Sequence, residues 1–248
     1  MGKKLNIGII GCANIAKKYS IKAFQALEKV GTISIASRDK KKGEAVAKEF
    51  NLQLMGSYEN LINAPDIDAV YIPLPVGLHE EWALKAASKK KHVLCEKTLS
   101  QDLTSVKRII KACKEHGVVL FENFMCDYHP QHEKVISLIR ENKLGGLLTF
   151  KGYFGFPQMD KNDVRYNRKL GGGSLNDAGA YTVFMARKII GAEPVAVTCR
   201  LVKDSGVDIK GTAYLVFPGN KAAFIAFGFE NVYQNNYSVW GSRGLVRI

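Results

Sequence analysis

Glu96 and Lys97 are two adjacent residues whose types and place in the sequence suit chemistry. They follow Val93-Leu94-Cys95, a short apolar run that reads as a strand of a buried parallel sheet. Such strands stay apolar inside, so the two charges mark where this one emerges at its carboxyl edge. Open α/β sheets bind their ligands at that edge. A lysine there can hold an alcohol or carbonyl oxygen, or move a proton. The plainer reading is a surface ion pair, and among 36 lysines and arginines a single lysine needs company to be singled out.

The first company is a phosphate-type turn. Residues Leu5 to Ile10 form an apolar strand that runs into Gly11-Cys12-Ala13-Asn14-Ile15-Ala16, and a helix-like segment follows to about Glu28. The spacing is that of G-x-G-x-x-G with alanine at the second and third places. Small side chains between a strand and a helix let a pyrophosphate approach backbone N–H groups at the helix N-terminus. No G-K-[S/T] follows, so this is not a nucleotide-hydrolase loop. The second strand, Thr32 to Ser37, ends in Ser37-Arg38-Asp39, with Lys42 close behind. In a dinucleotide-binding unit this place normally carries a carboxylate that holds the ribose 2′-OH of NAD. Ser37 removes the negative charge and Arg38 offers a fork to a 2′-phosphate, so NADP is expected over NAD. The competing reading pairs Arg38 with Asp39 on the surface.

These residues need a particular scaffold. Amphipathic helices are expected over Lys42–Phe50, from Tyr58 after a Ser57 cap, over Glu80–Lys89 and over Asp102–Glu115. Strands are expected at Asp68–Pro75, at Val93–Cys95 and at Val118–Phe121. Alternation of this kind predicts a doubly wound parallel sheet over residues 1–122. Residues 123–248 read differently: a helix ending near Asn142, one strong helix over Ala178–Ile190, and strands at Leu147–Phe156, Val195–Val202, Gly211–Phe217, Ala222–Phe229 and Tyr237–Trp240. Their alternation, and a turn at Pro218-Gly219-Asn220, predict an α+β domain with meandering antiparallel strands.

Composition narrows the classes of function. The 248 residues are 46% hydrophobic and 24% charged, ordinary for a soluble globular chain. No apolar run is long enough to span a membrane and the start leads straight into a strand, so a cytoplasmic location is expected. Five scattered cysteines without a C-x-x-C pair, and five histidines without zinc-type spacing, predict reduced thiols and no metal site. The net charge of +13 raises nucleic-acid binding as a competing class. The lysines fall instead in short runs near helix ends, Lys40-Lys41-Lys42 and Lys89-Lys90-Lys91, which suit solvated helix ends and anionic ligands generally.

Four patches together resemble the Gfo/Idh/MocA family of NAD(P)-dependent oxidoreductases: the turn at Gly11–Ala16, Tyr71-Ile-Pro-Leu-Pro-Val-Gly-Leu-His79, Glu96-Lys97, and Gly171-Gly-Gly-Ser-Leu-Asn-Asp-Ala-Gly-Ala-Tyr181. The resemblance implies a Rossmann domain, then a mixed, largely antiparallel open sheet whose face often mediates homo-oligomerisation. It implies reversible hydride transfer at a secondary alcohol or ketone of a sugar, nucleotide sugar or diol. It places the family's catalytic lysine on Lys97 and its aspartate and histidine-or-tyrosine pair on Asp177 and Tyr181. Leu74, Pro75, His79 and Glu96 would then lie toward the coenzyme, and Asn123 and Arg165 toward the substrate. Asp177 and Tyr181 stand four apart at a helix start, so both would face one way, with Asp177 fixing a neighbouring hydroxyl. The plainer reading makes them a dipole-favouring aspartate and a core tyrosine. The glycines at 171–173 would let a loop pass close to a ligand. Tyr153 and Phe156 would line the sugar site or sit in the core. Thr98 stands where the family has proline and Val76 where many members have asparagine. Members also commonly run well past residue 248, so a truncated or short member is expected. The alternative within this fold is a non-catalytic NADP-binding regulator, which retention of Lys97, Asp177 and Tyr181 disfavours.

Overall fold

The computed structural model describes residues 3–248, which fall into two compact units divided after Phe124. In the first unit β1 (Leu5–Ile10) leads through a wide helical turn at Ala16–Ser20 into the short α1 (Ile21–Gln25). There follow β2 (Val30–Ala36), α2 (Lys40–Phe50), β3 (Gln53–Met55), α3 (Tyr58–Asn63), β4 (Ala69–Ile72), α4 (His79–Ser88), β5 (His92–Glu96), α5 (Leu103–Glu115) and β6 (Leu120–Asn123). The strands form one parallel sheet in the order β3-β2-β1-β4-β5-β6. The order reverses between β1 and β4, which opens a crevice at their carboxyl ends.

Both faces of this sheet are covered, which is why its central strands β1, β4 and β5 are largely apolar. On one face Leu61, Trp82, Ala83 and Ile109 pack over Val70, Ile72 and Val93. On the other Ala16, Ile21, Val46 and Ala47 cover Ile7, Ile9 and Ile35. Local chemistry sets the helix starts. Asp39, Ser57 and Asp102 each accept a backbone N–H three residues on, from Lys42, Asn60 and Ser105 at 2.9–3.1 Å. The first helix is shorter than the expected run to Glu28, because the chain turns at Ala26 toward β2.

The second unit carries α6 (Pro130–Arg140), β7 (Leu147–Gly155), α7 (Ala180–Ile190), β8 (Ala196–Asp204), β9 (Val207–Phe217), β10 (Lys221–Gly228), β11 (Gln234–Gly241) and β12 (Leu245–Arg247). Its sheet runs β12-β11-β7-β10-β9-β8. The expected meander is corrected at one place. β7 and β10 are parallel, with Phe150 beside Ala223 and Phe154 beside Phe227, and α7 lies in the long connection between them. The remaining pairs are antiparallel, and β9 turns into β10 through Gly219 and Asn220, both at positive φ. One face packs on the helices through Phe150, Phe217, Ile225, Met185 and Ile189. The other leaves Trp240, Leu245, Phe224 and Tyr214 at 40–53% exposure.

Candidate active site

Gly11 sits at the end of β1 with φ +100, a conformation that a side chain resists. A Cβ there would also stand 2.8 Å from Leu74 Cδ2 and 3.3 Å from the Tyr58 hydroxyl. Gly11 is thus buried under Leu74 and Tyr58 at the end of β1, where only a glycine fits, and Ala13 and Ala16 keep the following turn small. Ala16–Ser20 adopts the wide π form before α1 begins, a geometry that recurs at functional sites. Cys12, Ala13 and Ile15 are half-buried and Asn14 is exposed.

Arg38 is exposed at the end of β2, and its guanidinium lies beside the Tyr58 hydroxyl. Burial pushes the Tyr58 phenol up, and Arg38 opposes that shift. Asp39 turns the other way, capping α2 and reaching Lys42 at 3.9 Å, while the Ser37 hydroxyl accepts from the Asp39 N–H at 3.2 Å. Arg38 thus stands over the glycine turn through Tyr58, a partner that the sequence reading did not single out.

Lys97 follows the last residue of β5 and is half-buried. Its neighbour Glu96 is buried and turned inward. The Tyr71 hydroxyl donates to Glu96 Oε1 at 2.6 Å and accepts from the Ser20 hydroxyl at 2.9 Å, while Asn123 Nδ2 donates to the same carboxylate oxygen at 2.7 Å. Burial and then the Glu96 charge hold the Tyr71 phenol far above its ordinary value. Hydrogen bonds to a charged group contribute about 1.5–3 kcal/mol each. Glu96 and Asn123 were expected at the coenzyme and the substrate respectively; here they hold each other, so they fix the end of β5 and β6. On the far side of Lys97 the Leu99 N–H donates to Glu122 Oε1 at 2.7 Å.

His79 needs a larger correction. It was expected beside the nicotinamide but has 0% exposure and no surface to offer a ligand. Its Nε2 lies 2.7 Å from the Leu74 carbonyl and its Nδ1 lies 2.9 Å from the Thr98 carbonyl. Burial lowers its pKa, against the pull of the two carbonyls and of the Glu96 charge. Leu74 and Pro75 remain partly exposed at the strand edge.

In the second unit the chain before α7 makes a loop through Arg165, the glycines at 171–173 and a π turn at Leu175–Gly179. Arg165 Nε donates to Asp177 Oδ2 at 2.5 Å, and its Nη1 reaches Asp163 Oδ1 at 3.2 Å. Burial pulls the Arg165 pKa down, but Asp177 and Asp163 outweigh it and the net direction is up. Expected as separate substrate contacts, Arg165 and Asp177 form an ion pair with each other. The glycines also differ from expectation. A Cβ at Gly172 would lie 2.4 Å from the Arg165 carbonyl oxygen, and one at Gly173 would lie 2.5 Å from Asp208 Oδ1. The close approach is to the protein's own loop. Asp208, unmarked in the sequence, accepts from the Ser174 hydroxyl at 2.8 Å and the Leu175 N–H at 2.6 Å.

Tyr181 is half-buried in the first turn of α7, its ring edge-on to Phe154 at 5.2 Å. From Phe154 an aromatic run continues through Phe156 and Phe229 to Tyr166, and the Arg165 guanidinium lies 5.9 Å from the Phe156 ring. Phe156 therefore braces the loop, while Tyr153 points to the other sheet face at 38% exposure. Beside Tyr181 opens a cavity of about 250 Å³ lined also by His132, Phe154, Thr182, Asn235 and Asn236. Among the described residues, no group of three or more His, Cys, Asp or Glu side chains could hold a metal ion.

The first unit has the strand order and glycine turn of a dinucleotide-binding oxidoreductase domain, and the second has a mixed open sheet with an Asp–Tyr helix start. Residues 5–124 match the NAD-binding Rossmann fold of the Gfo/Idh/MocA oxidoreductase family, residues 132–247 match the C-terminal domain of that family, and the chain belongs to it. A dTDP-3,4-didehydro-2,6-dideoxy-α-D-glucose 3-reductase from Saccharopolyspora spinosa is 35% identical over 100% of this chain and 75% of its own length. An NADP(+)-dependent D-xylose 1-dehydrogenase from Haloferax volcanii is 36% identical over 96% of this chain and 73% of its own length. A 3-ketoreductase from Actinomadura kijaniata, solved with NADP and TDP-benzene, superposes with a TM-score of 0.94 at 35% identity, covering 99% of this chain and 76% of that one.

Proposed function

We propose that this chain is an NADP-dependent reductase of a keto group on a nucleotide-linked deoxysugar, working on the same bond as the 3-ketoreductases it resembles. The observation that carries the coenzyme choice is Arg38 beside Tyr58 at the glycine turn, where NAD-dependent units place a carboxylate. The positive-φ turn at Gly11 and the small residues behind it fit a pyrophosphate. When bound, NADPH supplies a hydride to the carbonyl carbon.

The protein's own part is the proton. As the carbonyl carbon accepts a hydride its oxygen gains charge and must be protonated. In this reading Tyr181 or Lys97 supplies that proton; a phenol near pKa ~10 is a poor acid–base group at neutral pH unless its surroundings favour the anion. Arg165 holds Asp177, the residue that this reading assigns to a neighbouring sugar hydroxyl. Structures of the Actinomadura enzyme carrying a tyrosine-to-phenylalanine change, and others carrying a changed lysine, support attention to these two residue types. Oxidation of NADPH on adding dTDP-3,4-didehydro-2,6-dideoxy-α-D-glucose tests the proposal. Lys97→Met and Tyr181→Phe should each lose about 10²–10⁴-fold in turnover with NADPH binding retained. Near-normal rates in both would remove this mechanism.

Two further readings belong with it. The exposed face bearing Trp240, Phe224 and Tyr214 suits a sheet-to-sheet homo-oligomer. Five cysteines outside any disulfide, and no helix among the described residues long and apolar enough to cross a membrane, suit a cytoplasmic enzyme.

A further inference from the structure

We propose that His79 is a positioning residue for Lys97, tying the peptide that follows the lysine to the Leu74–Pro75 turn. Lys97 has no regular structure of its own, lying just past β5. The residues on either side of it are held in place. Glu96 is fixed from inside by Tyr71 and Asn123, and Leu99 is fixed by Glu122. Between them the Thr98 carbonyl faces His79 Nδ1 at 2.9 Å, and the other nitrogen of the same ring faces the Leu74 carbonyl at 2.7 Å.

A planar ring with two nitrogens at fixed separation is a spacer as well as a donor. It sets the distance between the turn after β4 and the turn after β5, both at the carboxyl edge of the sheet. With 0% exposure it does so without touching a ligand. The two halves of this bridge separate by substitution. The amide nitrogen of asparagine falls near the place of Nδ1, and that of glutamine near the place of Nε2. The neutral ring that burial favours has one N–H for the two carbonyls it touches; His79→Asn can donate toward Thr98 alone and His79→Gln toward Leu74 alone.

The inference rests on the reading of Lys97 as catalytic, and the experiment separates the two. Turnover of dTDP-3,4-didehydro-2,6-dideoxy-α-D-glucose, NADPH affinity by nicotinamide fluorescence, and hydrogen exchange of the Leu99 amide are measured in both His79 variants and in Lys97→Met. His79→Gln should lower kcat about 10- to 100-fold, as small misplacements of catalytic groups do, with NADPH affinity held and Leu99 exchange faster. His79→Asn should weaken NADPH binding more than it lowers kcat, with Leu99 protection held. Parallel changes in both variants, no change in either, or the opposite split would each overturn the positioning role. Should a His79 variant fail to fold, Glu122→Ala loosens the same segment from its other side and should lower kcat with NADPH affinity held; an unchanged kcat there overturns the role too. Turnover retained in Lys97→Met would instead remove the catalytic reading, and the exchange pattern at Leu99 would still decide whether His79 holds the segment.

Discussion

Arg38 and Asp177 show how far a residue's type speaks before its neighbours are known. The serine–arginine end of β2 reads as a 2′-phosphate site from charge alone, and the structure adds Tyr58 as the side chain beside the guanidinium. Arg38→Ala should weaken NADPH binding about ten- to a hundredfold while leaving NADH binding unchanged, since a hydrogen bond to a charged group contributes about 1.5–3 kcal/mol. Titrating both coenzymes against nicotinamide fluorescence checks it, and equal losses for the two would count against the assignment. Asp177 was legible as a candidate at a helix start, but its partner was not. Arg165 lies twelve residues away across an irregular loop, and no periodicity connects them. Both side chains of the pair are partly exposed, 38% and 20%, so the Coulomb gain is screened. Arg165→Met is accordingly expected to act on the rate more than on stability, by releasing Asp177. The setting of His79 was open for a related reason: a histidine after a strand looks the same in sequence whether its ring faces the crevice or the core.

At the scale of elements the sequence spoke more clearly, because apolar period and caps are local. Ser57 at the start of α3 and the apolar faces of α4 and α5 all stand where expected. The short edge strands Gln53–Met55 and Leu245–Arg247 went unseen, since three residues carry no period. The family resemblance implied a mixed sheet, but the period of β7 and β10 did not show that these two pair in parallel, because which strands meet is decided by the long connection through α7. The glycines at 171–173 signalled a close approach but not what approaches. Gly172→Ala should cost about 1–3 kcal/mol, the usual range for overpacking, and chemical denaturation measures it. The carboxylate of Asp68 links the start of β1 to β4, accepting from the Asn6 N–H at 2.9 Å and from Lys3 at 2.6 Å. These contacts, the Asn6 N–H first, hold its pKa below the ordinary value. Its stabilisation is therefore full above the unfolded pKa of about 3.9 and is lost as pH falls through the lower folded value. Thermal midpoints across that acid window should fall more steeply in the native chain than in Asp68→Asn.

For the whole molecule, the net charge of +13 pointed toward polyanions in general, and a nucleotide-linked sugar with a phosphate-bearing coenzyme satisfies it without a nucleic acid. The second unit's exposed face makes a separate statement about assembly. Trp240→Glu together with Phe224→Glu should shift the protein from oligomer to monomer in sedimentation; a native chain already monomeric would count against that face as an interface. Hydride transfer to a keto sugar remains the central claim, and isotope transfer tests it most directly. NADPH deuterated at the transferring carbon is mixed with dTDP-3,4-didehydro-2,6-dideoxy-α-D-glucose, and the product sugar is weighed by mass spectrometry. One deuterium on the reduced sugar carbon is the predicted result; NADPH bound with no deuterium in the sugar would contradict it and favour a coenzyme-binding protein without turnover.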